Sequence, residues 1–240
     1  NKDKKIKNVA IDSRKTDKDS LFFAIIGNVN DAHKFLPSVY ESGCRNVVVS
    51  DEKWAKKLET EGEANVFVVD DTTRALMNLA KKYLSDWGSL IKIGVTGSVG
   101  KTSTKEFIAA ALSKKYKVGK TKGNLNSEYG VPLTIFDFER DIEVAVIEMG
   151  IGDVTKMSDL QDIVLPDAAV ITNIGTSHLE AYGSREELAR EKLKIASSLS
   201  NKDMLVINGD NDILGSEHIN ILLQSKPVII KVGCKEGNKF

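Results

Sequence analysis

Two cysteines, Cys44 and Cys234, are the whole thiol complement of this 240-residue chain, and neither belongs to a CxxC pair or lies near a histidine pair. That excludes a disulfide framework and a structural zinc site, and it fits a reducing compartment. Net charge is missing too. Lys+Arg and Asp+Glu number 34 each, so no surplus of either sign argues for a nucleic acid or a membrane surface as partner. No apolar run approaches the length of a membrane span, and the opening Asn1-Lys2-Asp3-Lys4-Lys5 has no signal-peptide core. A cytoplasmic protein without membrane insertion is expected. Internal repeats and low-complexity segments are absent as well. What remains is an ordinary globular composition, 41% apolar and 28% charged, at a length that holds one large domain or two smaller ones.

Strand and helix patterns alternate along the chain. In the first part the spacing predicts strands at 6–11, 21–25, 46–50 and 66–69, and helices at 35–42, 52–61 and 72–84, with Gly43 closing the first helix. Ser85-Asp86-Trp87-Gly88-Ser89 then breaks the rhythm, so a boundary is placed there between a domain over 1–87 and another over 88–240. The second part predicts strands at 91–96, 117–121, 143–148, 168–173, 203–207 and 228–232, and helices at 101–115, 155–163 and 184–199. The expected fold class is α/β, with a mostly parallel, doubly wound sheet in the second domain. On such sheets ligands sit at the carboxyl ends of the strands, and the motifs below fall there or on the helix that follows.

The most informative of them is Thr96-Gly97-Ser98-Val99-Gly100-Lys101-Thr102-Ser103, between an apolar strand and a helix. Glycines let backbone N–H groups curl around phosphate oxygens, and the helix N-terminus adds donors and partial positive charge. Lys101 is placed to reach β- and γ-phosphates, and Thr102 to ligate Mg²⁺. Val95 stands where the general G-x-x-x-x-G-K-[ST] pattern wants its first glycine. The competing reading is a turn that only ends a strand and caps a helix.

Other candidates gather at neighbouring strand ends. Glu148 closes the strand Val144–Ile147, where a carboxylate suits a hard, oxygen-seeking cation such as Mg²⁺. His178 lies beyond the strand at 168–173 and a Gly turn, with a metal or phosphate role weighed against a structural one. Asn124 and Asn126 belong to the polar, Gly-rich loop 121–132, read either as an oxyanion-binding segment or as a plain turn. Lys192 sits in a charged helix and by itself reads as part of a solvated face. In the first domain, Ser13 and Arg14 are candidates for a diphosphate or sugar, while Asp31 reads equally as a helix cap.

Together these segments resemble the Mur ligases of bacterial cell-wall synthesis. The resemblance rests on Asp12-Ser13-Arg14, Asp31-Ala32-His33-Lys34-Phe35, the shortened Thr96-Gly97-Ser98-Val99-Gly100-Lys101-Thr102 loop, Gly123-Asn124-Leu125-Asn126 with Gly130-Val131-Pro132-Leu133-Thr134, Glu148-Met149-Gly150, Thr172-Asn173-Ile174-Gly175 with Ser177-His178-Leu179-Glu180, and Ile207-Asn208-Gly209-Asp210-Asn211. These motifs occur in the family's order over most of the chain. Val95 ceases to be an anomaly, because the family uses the shorter loop.

The resemblance implies an ATP-dependent amide ligase that adds D-alanyl-D-alanine to UDP-N-acetylmuramoyl-tripeptide through an acyl phosphate, acting as a monomer. It implies ATP held by Thr96, Gly97, Ser98, Val99, Gly100, Lys101, Thr102 and Ser103. Two Mg²⁺ ions are implied, one on Thr102 and Glu148, a second supported by His178. Lys192 matches a position that is carbamylated in the family. Asn124, or less surely Asn126, would contact the transferring phosphoryl group, and Ser13 and Arg14 the UDP part. Three departures stand out: a short opening segment is lacking, Thr155-Lys156 replaces a usual Gly-Glu pair, and the sequence stops at Phe240. The end of the ATP domain and a C-terminal domain are therefore expected to be missing, leaving a piece inactive alone. The alternatives are another, amino-acid-adding Mur ligase and a non-catalytic nucleotide-binding module; a folate polyglutamylase fits the first domain less well.

Overall fold

The computed structural model describes residues 5–61, 64–152, 154–216, 219, 223, 226–235 and 238. The chain divides into two compact units, Asn1–Ala80 and Lys81–Phe240. The division falls a few residues before the Ser85–Ser89 break, inside a helix rather than in a linker.

The first unit is built on a parallel sheet of β1 (Asn8–Ala10), β2 (Ser20–Phe23), β3 (Asn46–Val49) and β4 (Asn65–Val68), in the order β1-β2-β3-β4. β2 and β3 are buried throughout, as continuous apolar runs in parallel sheets require. Helices α1 (Leu36–Glu41), α2 (Glu52–Glu61) and α3 (Thr72–Ser85) occupy the expected places. Phe22, Leu36, Val39, Val47, Val49 and Leu58 make the core. Gly43 closes α1 at φ +89°, a conformation that side chains with a Cβ resist.

The second unit carries six parallel strands in the order β10-β9-β8-β5-β7-β6. They are β5 (Ile91–Thr96), β6 (Val118–Lys120), β7 (Val144–Glu148), β8 (Ala168–Ile171), β9 (Met204–Asn208) and β10 (Val228–Val232). After β5 the chain builds β6 and β7 on one side, then returns to place β8, β9 and β10 on the other. The carboxyl end of β5 is therefore the point where strand order reverses, the crevice that open α/β sheets use for ligands. Register places Val95 beside Glu148 and Thr96 beside Ile171, so the candidate loop, Glu148 and the residues after β8 share one end.

Helices α4 (Lys101–Leu112), α5 (Gly130–Phe136), α6 (Met157–Val164), α7 (Leu179–Tyr182) and α8 (Arg185–Leu193) connect the strands. α4 stops at Leu112, short of 115, where the bonding tightens to an i→i−3 pattern, with Lys114 N–H donating to Ala111 O at 3.3 Å and Lys115 N–H to Leu112 O at 3.0 Å. β8 also ends earlier than expected, since Thr172 and Asn173 leave the ladder for the loop after β5. α5 was not expected. Gly130 and Pro132 read as breakers, yet proline is tolerated in a helix's first turn, and Gly130 lies where a Cβ would strike the Leu125 backbone. The stretch read as helix over 184–199 is α8 followed by a 3₁₀ turn, Lys194–Ala196. Ser184 caps α8 by accepting from Glu187 N–H at 3.1 Å.

Candidate functional site

The loop after β5 is shaped by two glycines in left-handed conformations, Gly97 at φ +148° and Gly100 at φ +80°. A Cβ at Gly97 would collide with Thr172 Oγ1. Gly100 is the N-cap of α4, with no side chain over the helix end. The first-turn N–H groups have no partner within the helix and face the crevice as donors. The other wall is held from β8. Asn173 Oδ1 accepts from the N–H groups of Ser98 (3.1 Å) and Val99 (2.9 Å). Thr172 Oγ1 donates to Val99 O at 2.5 Å, and Ser98 Oγ accepts from Gly175 N–H at 2.9 Å. The amides of Ser98 and Val99 are thus engaged, which leaves the α4 first turn as the principal donor set. Thr96 Oγ1, at the mouth of the loop, is buried and has no hydrogen-bond partner among the described residues.

Two lysines converge on one carbonyl. Lys101 Nζ folds back to donate to Gly97 O at 2.9 Å, and Lys192 Nζ reaches the same oxygen from α8 at 3.3 Å. Lys192 is 1% exposed, so the solvated-face reading of its helix fails for this residue. Burial, and then the neighbouring Lys101 ammonium, lower its pKa to about 8. Its neighbours Arg190 and Lys194 do stay on the outer face, paired with Glu187 at 3.3 Å and Glu191 at 2.5 Å.

Glu148 is the centre of a second cluster, 1% exposed at the end of β7. Thr102 Oγ1 donates to its Oε2 at 2.9 Å and Asn126 Nδ2 to its Oε1 at 2.8 Å. Lys105 Nζ stands 3.7 Å from Oε2. The Glu148 N–H donates to Thr121 Oγ1 at 2.9 Å. Of the two asparagines singled out from the sequence, Asn126 joins this cluster. Asn124 is exposed, with its carbonyl taken by Asn126 N–H at 2.8 Å. His178 is exposed at the start of α7, in a left-handed conformation at φ 65°. Ser103 is exposed on the first turn of α4.

In the first unit Asp12, Ser13 and Arg14 form a tight turn after β1. Asp12 accepts from Arg14 N–H (3.1 Å), Nε (2.9 Å) and Nη2 (2.8 Å), and these contacts hold the Asp12 carboxyl down at about 2. Ser13 is half-buried and Arg14 exposed, at the carboxyl end of a parallel strand. Asp31 acts as a cap and more. Its Oδ1 accepts from His33 N–H at 2.9 Å and lies 2.6 Å from His33 Nδ1, while His33 Nε2 accepts from Ser50 N–H at 3.0 Å. The buried imidazole therefore carries its proton on Nδ1 and fastens this turn to the end of β3.

Three functional positions escaped the sequence. Asn173 was read as the end of a strand, and its role as loop clamp exists only across the sheet. Glu191, buried in a charged helix, accepts from Met157 N–H at 2.8 Å and so caps α6; no local signal marks it. Lys105 did leave a signal. It lies four residues from both Lys101 and Ala109, on the helix face where an apolar residue is due.

A glycine-shaped loop, a helix start and a lysine at the switch point of a parallel sheet define a phosphate-loop α/β domain. Residues 95–240 match the family model of the Mur ligase middle domain. The chain belongs to the Mur ligase family. It is 41% identical over 210 residues to the UDP-N-acetylmuramoyl-tripeptide–D-alanyl-D-alanine ligase of Bacillus subtilis, covering 87% of this chain and 45% of that protein. Among solved structures, MurF from Acinetobacter baumannii superposes with a TM-score of 0.84 at 30% identity, over 97% of this chain and 49% of that one. MurF from Thermotoga maritima, in complex with ADP, gives a TM-score of 0.78 at 30% identity, over 97% of this chain and 51% of that one. The chain thus spans about half the length of the relatives it matches. No helix among the described residues is long and apolar enough to cross a membrane.

Proposed function

We propose that this chain carries the acceptor-binding and ATP-binding parts of a cytoplasmic, monomeric ligase that joins D-alanyl-D-alanine to UDP-N-acetylmuramoyl-tripeptide. The observation that carries the reading is the meeting of Lys101, Lys192 and the Thr102–Glu148–Asn126 cluster at the end of β5 and β7. The names of the relatives supply the substrates. In this reading the first domain, up to 87, holds the UDP part, with Ser13 and Arg14 on its diphosphate, and the domain from 88 holds ATP. The cradle fits a triphosphate: Gly97 and Gly100 leave the loop free of Cβ atoms, and the donors face one crevice. The donor set at Thr102 and Glu148 is all oxygen, as Mg²⁺ prefers, and one protein carboxylate suffices when phosphates and waters complete the shell.

The reaction is amide formation in two displacements. An oxygen of the tripeptide's terminal carboxylate attacks the γ-phosphorus, the bond to the β-phosphate oxygen breaks, and ADP departs. The amine of D-alanyl-D-alanine then attacks the acyl carbon, loses a proton, and inorganic phosphate leaves. Lys101 and the α4 amides neutralise the charge that gathers on the phosphate oxygens. Thr102 and Glu148 hold one metal position, and His178 supports a second. Asn126, with Asn124 beside it, orients the γ-phosphoryl oxygens. Mg²⁺, when bound, supplies further charge neutralisation.

Lys192 acts in this reading as its carbamate. Carbamate formation joins a neutral amine to CO₂ and releases one proton, and a pKa near 8 leaves a useful fraction of neutral amine at physiological pH. The product replaces a cation beside Lys101 with an anion that pairs with it. The test uses an enzyme of the relatives' full length bearing these residues. ATP turnover should require both the UDP-linked tripeptide and D-alanyl-D-alanine, and Lys192→Ala should lose turnover and regain part of it with added acetate or formate. Turnover independent of the UDP-linked peptide removes the ligase reading. A folded Lys192→Ala variant that neither salt rescues removes the carbamate.

A further inference from the structure

Lys105 takes no part in the chemistry above, yet it is 1% exposed. It projects from the second turn of α4 into a place where the helix period calls for an apolar side chain. An ammonium out of water costs several kcal/mol unless it is fully paired, and an apolar side chain of similar length would fill the same space without that cost. Its surroundings supply one hydrogen-bond acceptor and two carboxylates within ion-pair distance. Thr121 O accepts at 2.8 Å, Glu106 Oε1 lies at 3.3 Å, and Glu148 Oε2 at 3.7 Å.

Those groups belong to three different elements: α4 itself, the end of β6 and the end of β7. Thr121 closes the circuit, because its hydroxyl accepts from Glu148 N–H while its own N–H donates to Val146 O at 3.1 Å. Asn126, five residues further on, grips the other carboxylate oxygen. Lys105 therefore ties together the helix that opens at the phosphate loop, the root of the loop that presents Asn126, and the carboxylate between them. Without it, Thr121 O is left in a buried place without its donor, and Glu148 keeps only Thr102 and Asn126.

We infer that Lys105 is a positioning residue that holds Glu148 and the Thr121–Asn126 loop in the geometry that receives the magnesium-bound nucleotide. The inference rests on the nucleotide reading of this site and adds to it a residue in contact with neither metal nor phosphate. Groups that orient a metal ligand typically matter 10–100-fold for affinity.

The test is calorimetric titration with ADP, in MgCl₂ and in EDTA, read as the ratio of the two affinities. Lys105→Met should bind ADP in EDTA within about twofold of the unaltered chain and lose about tenfold or more of the magnesium-dependent gain. Lys105→Arg, which keeps the charge, should recover most of it. Should Lys105→Met fail to fold, Glu106→Gln reads the same network from a half-buried position. It removes the negative charge on the far side of Lys105 and should cost the magnesium-dependent gain two- to threefold. A folded Lys105→Met, or a Glu106→Gln, with the gain unchanged overturns the inference. An unaltered protein with no magnesium-dependent gain, in this chain and in one of the relatives' length, overturns the nucleotide reading and the inference with it.

Discussion

Both units place polar turns at the carboxyl ends of parallel strands, but they treat charge differently. In the second unit Lys105, Lys192, Glu148 and Glu191 are buried and held by several elements at once. In the first, the Arg14 side chain is 86% exposed, and its partner Asp12 lies two residues away on the same turn. A buried polar anchor there is the imidazole of His33, whose hydrogen bonds shape the backbone. Charge fixed in a low-dielectric setting is costly to assemble and acts strongly on a ligand; charge on an exposed turn is cheap and adaptable. In the proposed function this contrast sets chemistry in the second unit and recognition in the first.

The largest effect that would break this contrast lies at Lys101. Lys101→Ala should reduce ATP-dependent turnover of a full-length enzyme by about 100-fold or more, the scale of losing one preorganised charge-stabilising donor. Steady-state kinetics showing normal kcat would remove the phosphate-loop assignment. Backbone sharpens the comparison next. Gly97→Ala forces a Cβ into Thr172 at a φ that alanine resists, and should cost about 3 kcal/mol or more in urea unfolding. Gly27→Ala in the first unit, where the nearest atom is Asn30 O at 3.5 Å, should change stability by less than about 1 kcal/mol.

Lys192 gives a pH test with a definite sign. Its folded pKa of about 8 lies below the ordinary 10.5, so protonation penalises the folded state. The penalty is complete below pH 8 and fades as pH rises toward 10.5. In CO₂-free buffer Lys192→Met should be the more stable protein at pH 7, by on the order of 3 kcal/mol, and the advantage should shrink by pH 10. A constant difference across that range would mean the ammonium is not desolvated. The smallest effect is expected at Arg14. Arg14→Ala should leave stability essentially unchanged, as for other exposed pairs, while raising KM for the UDP-linked acceptor with kcat little changed.

Much of the fold was legible because parallel strands announce themselves. Ile91–Thr96 and Val144–Glu148 are apolar runs bounded by turns, and β5 and β10 fall where the spacing puts them. The phosphate loop was legible because its glycines are demanded locally, by positive φ and by the lack of room for a Cβ. α5 was hidden by Gly130 and Pro132, which mark a helix start as readily as a break. The family resemblance singled out Lys192, but the residues alone did not, because nothing local distinguishes it from Arg190 or Lys194; only the direction in which α8 packs decides which of the three enters the crevice.

The linear order of residues by itself determined the alternation of strand and helix, the glycine loop and the family, since each depends on contacts within a few positions or on the spelling of short motifs. The tertiary structure alone decided that Asn173 clamps the loop, that Asn126 rather than Asn124 meets Glu148, and that Lys105 and Lys192 lose their water. Those outcomes depend on strand order and register, which bring together residues 16 to 95 positions apart. Burial of a charge is a property of everything packed around it, and no window of sequence contains that.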